Sequence, residues 1–246
     1  GLAPQAGTFS NIGAAISGLF HLKVVKFDVV LPIFLFIFLA PIIGGIISII
    51  VTTIIVNACK RMNPYKAEKL FKKLQLVSSA IFSLGHGTND SQKVMGIIGA
   101  AFIFYHVQMI NDPLYVNMPS AERFDFFVKH YMWVPFCSFA AMAIGTMGGG
   151  MKIIKTMGTK ITKVTPLEGV AAETAGAMTL FLTEHFGIPV STTHTITGSI
   201  IGVGLTKRVS AVRWGITVSL LWAWILTIPV SALIGGVVYL VVKLFT

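Results

Sequence analysis

The chain has 246 residues, of which 54% are hydrophobic and only 11% charged, with a mean hydropathy of +0.81. A soluble domain carries about 25% charged residues, so this composition excludes a soluble globular protein. The net charge of +10 does not mark a nucleic-acid binder, because the basic residues lie in short loops between apolar runs, as in cytoplasmic loops of membrane proteins.

Taken in chain order, the first element is residues 29–57, "VVLPIFLFIFLAPIIGGIISIIVTTIIVN", which holds no charge. It exceeds the ~18 uncharged residues that mark a membrane span. A basic loop follows at 60–73, "KRMNPYKAEKLFKK", with six Lys/Arg against one Glu. Residues 74–108 return across the membrane, but 35 helical residues would cover about 52 Å against a hydrocarbon core of about 30 Å. The run is interrupted at 85–90 by "GHGTND", where a helix break is expected. Residues 111–130 carry mixed charge and read as an external loop, and 131–147 as the next span. A second basic loop, 151–163, has four Lys and no acid. Residues 166–206 start and end on the basic side, as a pair of passes or of re-entrant arms, interrupted at 187–194 by "GIPVSTTH". Lys207, Arg208 and Arg213 form the third basic group, and 214–242 is the last span. The Lys/Arg bias places the three basic groups in the cytoplasm. Cys59 and Cys137 form neither a disulfide framework nor a metal spacing and read as packing residues.

The fold class expected is an all-α integral membrane protein, a helical bundle with inverted repeats and two broken or re-entrant helices. The repeat signal is "PIIGGIISIIV" at 41–51 against "ALIGGVVYLVV" at 232–242, with Gly44 and Gly45 in register with Gly235 and Gly236. Loop charge gives these two helices opposite orientations, as an inverted-topology repeat requires.

The two interruptions carry the chemistry. Gly85 and Gly87 permit a break, Thr88 is placed to cap the half-helix after it, and Asp90 falls in the first turn, where the helix dipole favours a carboxylate. An ionisable group at membrane depth is expensive and marks a task. Asp90, with Asn89, offers hard oxygen ligands for a cation such as Na⁺, and Asp90 alone can carry a proton. The plainer alternative is an ion pair of Asp90 with Lys93, three residues along the same face. In "PVSTTHTITGS", Pro189 precedes Ser191, a natural N-cap. The hydroxyls of Ser191, Thr192 and Thr193 then lie beside the unpaired N–H groups of a helix N-terminus, a combination that binds oxyanions without Arg. The alternative is an ordinary cap. His194 shares the face of Ser191 and reads as a packing residue or a cavity residue. Glu173 lies deep enough to bind a cation, Glu168 adjoins a basic loop and is expected to be solvated, and Glu184 and His185 precede the second break.

"HGTNDSQKVMGII", "AIGTMGGGMKIIKTMGTKIT" and "GIPVSTTHTITGSIIGVG", in this order, resemble the inorganic phosphate transporter (PiT) family. With "RWGITVSLLWAWILTIP" the resemblance runs from residue 27 onward. It implies a bundle of about twelve helices in two inverted repeats, each giving one Asn-Asp motif and one Ser/Thr-rich motif to a central site. Carried onto this chain, Ser191, Thr192 and Thr193 hold phosphate oxygens, with Asn89 and Gln92 beside the substrate, and Asp90, Asn89 and Glu173 serve the cation, Na⁺ at Asp90 being the one metal expected. The family's first pair of motifs would lie upstream of Gly1. Residues 1–57 are thus expected to be trailing helices of the first repeat with its start missing, 58–73 a cytoplasmic loop, and 74–246 the second repeat.

The function so implied is symport of inorganic phosphate with Na⁺ or H⁺, without a cofactor; the alternative is transport of sulfate or another oxyanion by the same fold. An enzyme is not expected, since a hydrolase built on Ser191, His194 and Asp90 would lack G-x-S-x-G and H-E-x-x-H signatures. The expected partners are phosphate, membrane lipid, the missing N-terminal repeat and, in the assembly, a homodimer. The expected location is the cell membrane, multi-pass.

Overall fold

The computed structural model describes residues 27–244; residues 1–26 of the expected first segment lie outside them. Helix α1 (Phe27–Cys59) contains Pro32 and Pro41. Helix α2 (Pro64–Phe104) starts with Pro64 in its first turn, where the missing N–H does no harm, and Asn63 caps it by accepting the Tyr65 N–H at 3.0 Å. A π-helical turn, Tyr105–Met109, ends it. Two short helices, α3 (Pro113–Asn117) and α4 (Arg123–His130), form a cap over that end. They enclose Tyr115 and Phe127, and Phe102 stacks on His106 at 4.2 Å. Helix α5 (Trp133–Lys155) closes in a second π turn, Thr156–Lys160. Helices α6 (Pro166–His185) and α7 (Thr192–Lys207) form a hairpin, and α8 (Trp214–Lys243) is the last element. No strand occurs among the described residues. Three helical stretches, Val30–Cys59, Trp133–Met151 and Trp214–Lys243, are long and apolar enough to cross a membrane. The protein is an all-α membrane protein.

The expected break at 85–90 is absent: α2 is one continuous helix of 41 residues. Thr88 does not cap; its Oγ1 donates back to the carbonyls of Leu84 (3.0 Å) and Gly85 (3.1 Å) inside the helix. Each glycine lowers helix propensity by only about 1 kcal/mol, and tertiary packing outweighs that. α6 runs alongside α2 on the N-terminal side of the site, where Ser78 and Ser79 donate to Glu173, and at the site, where Leu180 packs against buried Gly85. At 1.5 Å per residue α2 is about 60 Å long, so its basic first turns lie beyond a hydrocarbon core of about 30 Å.

The interruption at 187–194 is real, and its geometry follows from the residues. Gly187 adopts φ +64°, the left-handed region that glycine enters without penalty. Its N–H bonds Glu184 O and the Ile188 N–H bonds Thr183 O, both at 2.9 Å. This paired ending satisfies the last carbonyls of α6. Pro189 and Val190 lie outside both helices, and Ser191, itself extended, then caps α7 by accepting the His194 N–H at 3.4 Å. The far ends of the hairpin are pinned together. Glu168 accepts the Thr165 N–H at 2.6 Å as the reciprocal half of a capping box and pairs with Lys207 at the end of α7. Glu168 is therefore buried, not solvated as expected. With 16 and 20 residues, α7 and α6 span about 24 and 30 Å, and the hairpin tip meets α2 about two thirds of the way along it, at Asn89 and Lys93.

α1 crosses α7 with backbone almost touching backbone. Gly44 and Gly45 face Thr195, Gly198 and Ser199. Ser48 Oγ donates to Ser199 O at 2.6 Å, and Ser199 Oγ to Gly44 O at 3.3 Å. Small residues and interhelical hydroxyl bonds are what bind helices where lipid removes the hydrophobic drive. Below this crossing Met157, Ile161, Ala171, Ala172, Ile200 and Val203 form the main apolar cluster. Gly235 and Gly236, the sequence counterparts of Gly44 and Gly45, have no atom of another segment within 4 Å of where a Cβ would stand.

Candidate functional site

Asp90 lies one turn from His86 and one turn from Lys93, because helical residues three and four apart share a face. Its Oδ2 stands 3.0 Å from His86 Nε2 and its Oδ1 accepts from Lys93 Nζ at 2.9 Å. The ion pair weighed as the alternative is thus formed. Lys93 Nζ also donates to the carbonyl of Val190 at 2.9 Å, and Asn89 Nδ2 reaches the same carbonyl at 3.3 Å. Two α2 side chains therefore hold the tip of the hairpin directly before Ser191. The carbonyl they bond is not free by accident: its helical donor would be the His194 N–H, which Ser191 Oγ takes in capping α7.

Two cavities meet here. One of about 740 Å³ lies between α2, α5 and α7; His86 and Asp90, Ser138 and Met142, and Thr192 and Thr193 line it. A second, of about 610 Å³, lies on the α1 side, bounded by Phe36, Lys93, Ser191 and His194 among others. Asp90, Thr192 and Thr193 border both. Among the described residues, neither threonine hydroxyl makes a hydrogen bond: the Thr193 carbonyl is used by Thr197, but the side chains are free for a ligand. The first N–H groups of α7 have no carbonyl partner within the helix, and its dipole places partial positive charge there. Ser191 Oγ is partly spent on its cap.

Other expected residues lie elsewhere. Asn89 and Gln92 border a separate recess of about 300 Å³ with Glu184, and Gln92 Nε2 donates to Glu184 Oε1 at 3.3 Å. Glu173 borders neither large cavity. It accepts from Ser78 (2.5 Å) and Ser79 (2.8 Å) and lies 12 residues before the end of α6, about 18 Å along the helix from the tip. His194 stacks on Trp224 of α8 with ring centroids 4.0 Å apart, and its Nδ1 is buried without a hydrogen-bond partner among the described residues. Among the described residues, no group of three His, Cys, Asp or Glu is arranged to hold a metal ion.

Sequence reasoning missed two contributors. His86 carried a signal, its i, i+4 spacing to Asp90. The glycine-rich face of α5, Gly145, Gly149 and Gly150, forms a cavity wall, and its role depends on which way α5 turns, which the sequence does not state.

A profile of the phosphate transporter family matches residues 56–235. A protein of Rhizobium meliloti (strain 1021), named "Probable low-affinity inorganic phosphate transporter", is 43% identical over 201 residues, covering 82% of this chain and 55% of the relative. Proteins of the same name from Bacillus subtilis (strain 168) and Mycobacterium leprae (strain TN) are 38% and 35% identical, covering 84% and 88% of this chain and 57% and 48% of theirs. The chain thus spans about half the length of the curated relatives it matches. No solved structure matches it. A profile match over most of the chain, with relatives up to 43% identical, shows what the hydroxyls of α7 and the aspartate of α2 around shared cavities already suggest: the chain belongs to the phosphate transporter family.

Proposed function

We propose that this chain supplies one half of a symporter that moves inorganic phosphate across the cell membrane with Na⁺ or H⁺, and that it is not an enzyme. The observation that carries this is the meeting of Thr192 and Thr193, with free hydroxyls at the start of α7, and Asp90, bordering the same two cavities at the tip of the α6–α7 hairpin. Phosphate oxygens would accept from the two threonines, from Ser191 and from the first N–H groups of α7. Asp90 would take part in coupling, where its carboxylate can carry a proton. Asn89 would serve the site by fixing the hairpin tip through Val190 O, with Gln92 steadying the same tip from Glu184. Glu173 would stabilise the α2–α6 contact.

One such half does not suffice. A phosphate at neutral pH and Asp90 are both anionic, and burying like charges at membrane depth needs compensation from more than a few N–H groups. The bare glycine pair of α8 supports the same view. α1 uses Gly44 and Gly45 to seat α7, and an inverted first repeat would bring an equivalent helix to Gly235 and Gly236. The basic loops would face the cytoplasm, and two such transporters would pair as a homodimer.

The test is uptake of labelled phosphate by proteoliposomes holding the full-length transporter, with sulfate as competitor. Saturable uptake driven by a cation gradient and not inhibited by sulfate is expected. Uptake that is linear in phosphate, or equal without a gradient, refutes symport, and full competition by sulfate shifts the substrate to oxyanions in general.

A further inference from the structure

We infer that Lys93 is a specificity-determining residue that acts as a tethered cation, filling with its ammonium the place beside Asp90 that a Na⁺ ion would otherwise take, so that this half-site does not bind Na⁺.

The argument starts from what Na⁺ requires. A hard cation in a membrane site is held by carboxylate oxygens and by backbone carbonyls released where a helix is interrupted. Here the available oxygens of that kind are the two of Asp90 and the carbonyl of Val190 at the hairpin tip. Lys93 Nζ sits between them, 2.9 Å from Asp90 Oδ1 and 2.9 Å from Val190 O. Those are the distances of charge-assisted hydrogen bonds, and the arrangement of a carboxylate and a loop carbonyl around one positive centre is that of a cation site.

The remaining acceptor capacity is also taken. A carbonyl oxygen has two lone pairs. At Val190 one receives Lys93 and the other Asn89 Nδ2 at 3.3 Å. Asp90 Oδ2 is engaged by His86 Nε2 at 3.0 Å. A Na⁺ ion could gain these ligands only by displacing Lys93, and the displaced ammonium, tethered one turn along the same helix, would remain close to it. Two like charges at close range in a site of low dielectric repel strongly. The tether also makes the competition intramolecular, so Lys93 faces the carboxylate at a high effective concentration that dissolved Na⁺ must exceed. Deleting Lys93 would leave Asp90 Oδ1 and one Val190 lone pair facing an opening large enough for an ion, because both residues border the 610 Å³ cavity.

This inference rests on reading the chain as a cation-coupled phosphate carrier, and its test is chosen to be independent of phosphate. The purified full-length transporter is unfolded thermally in NaCl and in KCl of equal ionic strength, without phosphate, as wild type, Asp90→Asn, Lys93→Met and the double variant. Wild type and Asp90→Asn should show the same Na⁺-minus-K⁺ difference, whatever the other half of the protein contributes. Lys93→Met should gain a Na⁺-specific rise of about 2–6 °C, and the double variant should lose it. Lys93→Arg, which keeps the cation, should behave as wild type. A Na⁺ response in wild type that disappears in Asp90→Asn overturns the inference, and so does a folded Lys93→Met without gain. Should Lys93→Met not fold, Lys93→Gln and the wild-type/Asp90→Asn pair decide the matter. A phosphate-induced stabilisation of wild type, measured separately, tests the transport reading: its absence would remove that reading and leave the Na⁺ comparison standing.

Discussion

Replacing Gly198 by Ala should loosen the seat of the α6–α7 hairpin and lower stability. A Cβ at Gly198 would stand 2.5 Å from the carbonyl carbon of Pro41, where ordinary contact begins at 3.4 Å. The obstacle is backbone and cannot rotate away, so α1 and α7 must part by about 1 Å. The hydroxyl bond from Ser48 to Ser199 O, now 2.6 Å, would stretch past useful range at about 3.6 Å. Overpacking costs about 1–3 kcal/mol and the interhelical bond about 0.6 kcal/mol. Ala returns up to about 1 kcal/mol of helix propensity, leaving a net loss of about 1–3 kcal/mol. For a protein of this size that is a fall in unfolding temperature of about 2–12 °C. The assay is thermal unfolding of the full-length protein in detergent, with Gly96→Ala, a mid-helix glycine of α2 with nothing within 4 Å of its Cβ position, as the control. Gly202→Ala, whose Cβ would stand 2.9 Å from Gly45 Cα, should fall in the same range. If Gly198→Ala unfolds at or above the temperature of Gly96→Ala, the α1–α7 crossing is not as close as described.

Asp90→Asn in the complete transporter should abolish cation-coupled phosphate uptake while the protein still elutes as a folded species; full cation-dependent uptake by that variant would end the proposed role. Thr192→Ala should weaken apparent phosphate affinity by about 2–12-fold, the equivalent of a hydrogen bond worth about 0.5–1.5 kcal/mol, and Ser191→Ala should in addition lose about 1 kcal/mol of stability as a removed cap. Unchanged affinity in both, measured from initial uptake rates, would leave Ser191 and Thr192 as structural residues. In the cap over the end of α2, the Asp112 carboxyl is held below its usual range, chiefly by its hydrogen bond with His106 and then by the Leu114 N–H. A depressed carboxylate contributes stability that is complete above its unfolded value of about 3.9 and is lost as pH falls through the lower folded value. His106→Phe, which keeps the stack on Phe102, should therefore be less stable than wild type at pH 6, with the gap closing below about pH 4; an equal gap at both pH values would show that the bond is not its cause. For orientation, an impermeant thiol reagent on intact cells should label Asn117→Cys and not Lys66→Cys in a background of Cys59→Ser and Cys137→Ser, and the reverse pattern would invert the topology.

The sequence by itself determined the membrane class, the position of the hydrophobic spans and the existence of the second interruption. Each follows from local chemistry: charge-free runs of length fixed by the bilayer, and a Gly187–Pro189–Ser191 succession that stops one helix and starts another within a few residues. The motifs that revealed the family were legible for the same reason, being contiguous. Tertiary structure decided the rest. "GHGTND" looks like a break because two glycines and three polar residues have weak helix propensity, yet α6 packed alongside keeps α2 continuous. Propensity differences near 1 kcal/mol yield to packing of that extent. Glu168 looked solvated because a basic loop adjoins it, and Lys207, 39 residues away in sequence, buries and neutralises it. Glu173 and Asp90 looked like one cation site because both are acids at membrane depth, and the register of α6 against α2 holds them apart. The partnership of Lys93 with Val190 O was equally hidden: it joins residues 97 apart, and such a contact depends on where the hairpin tip lands, which no local pattern encodes.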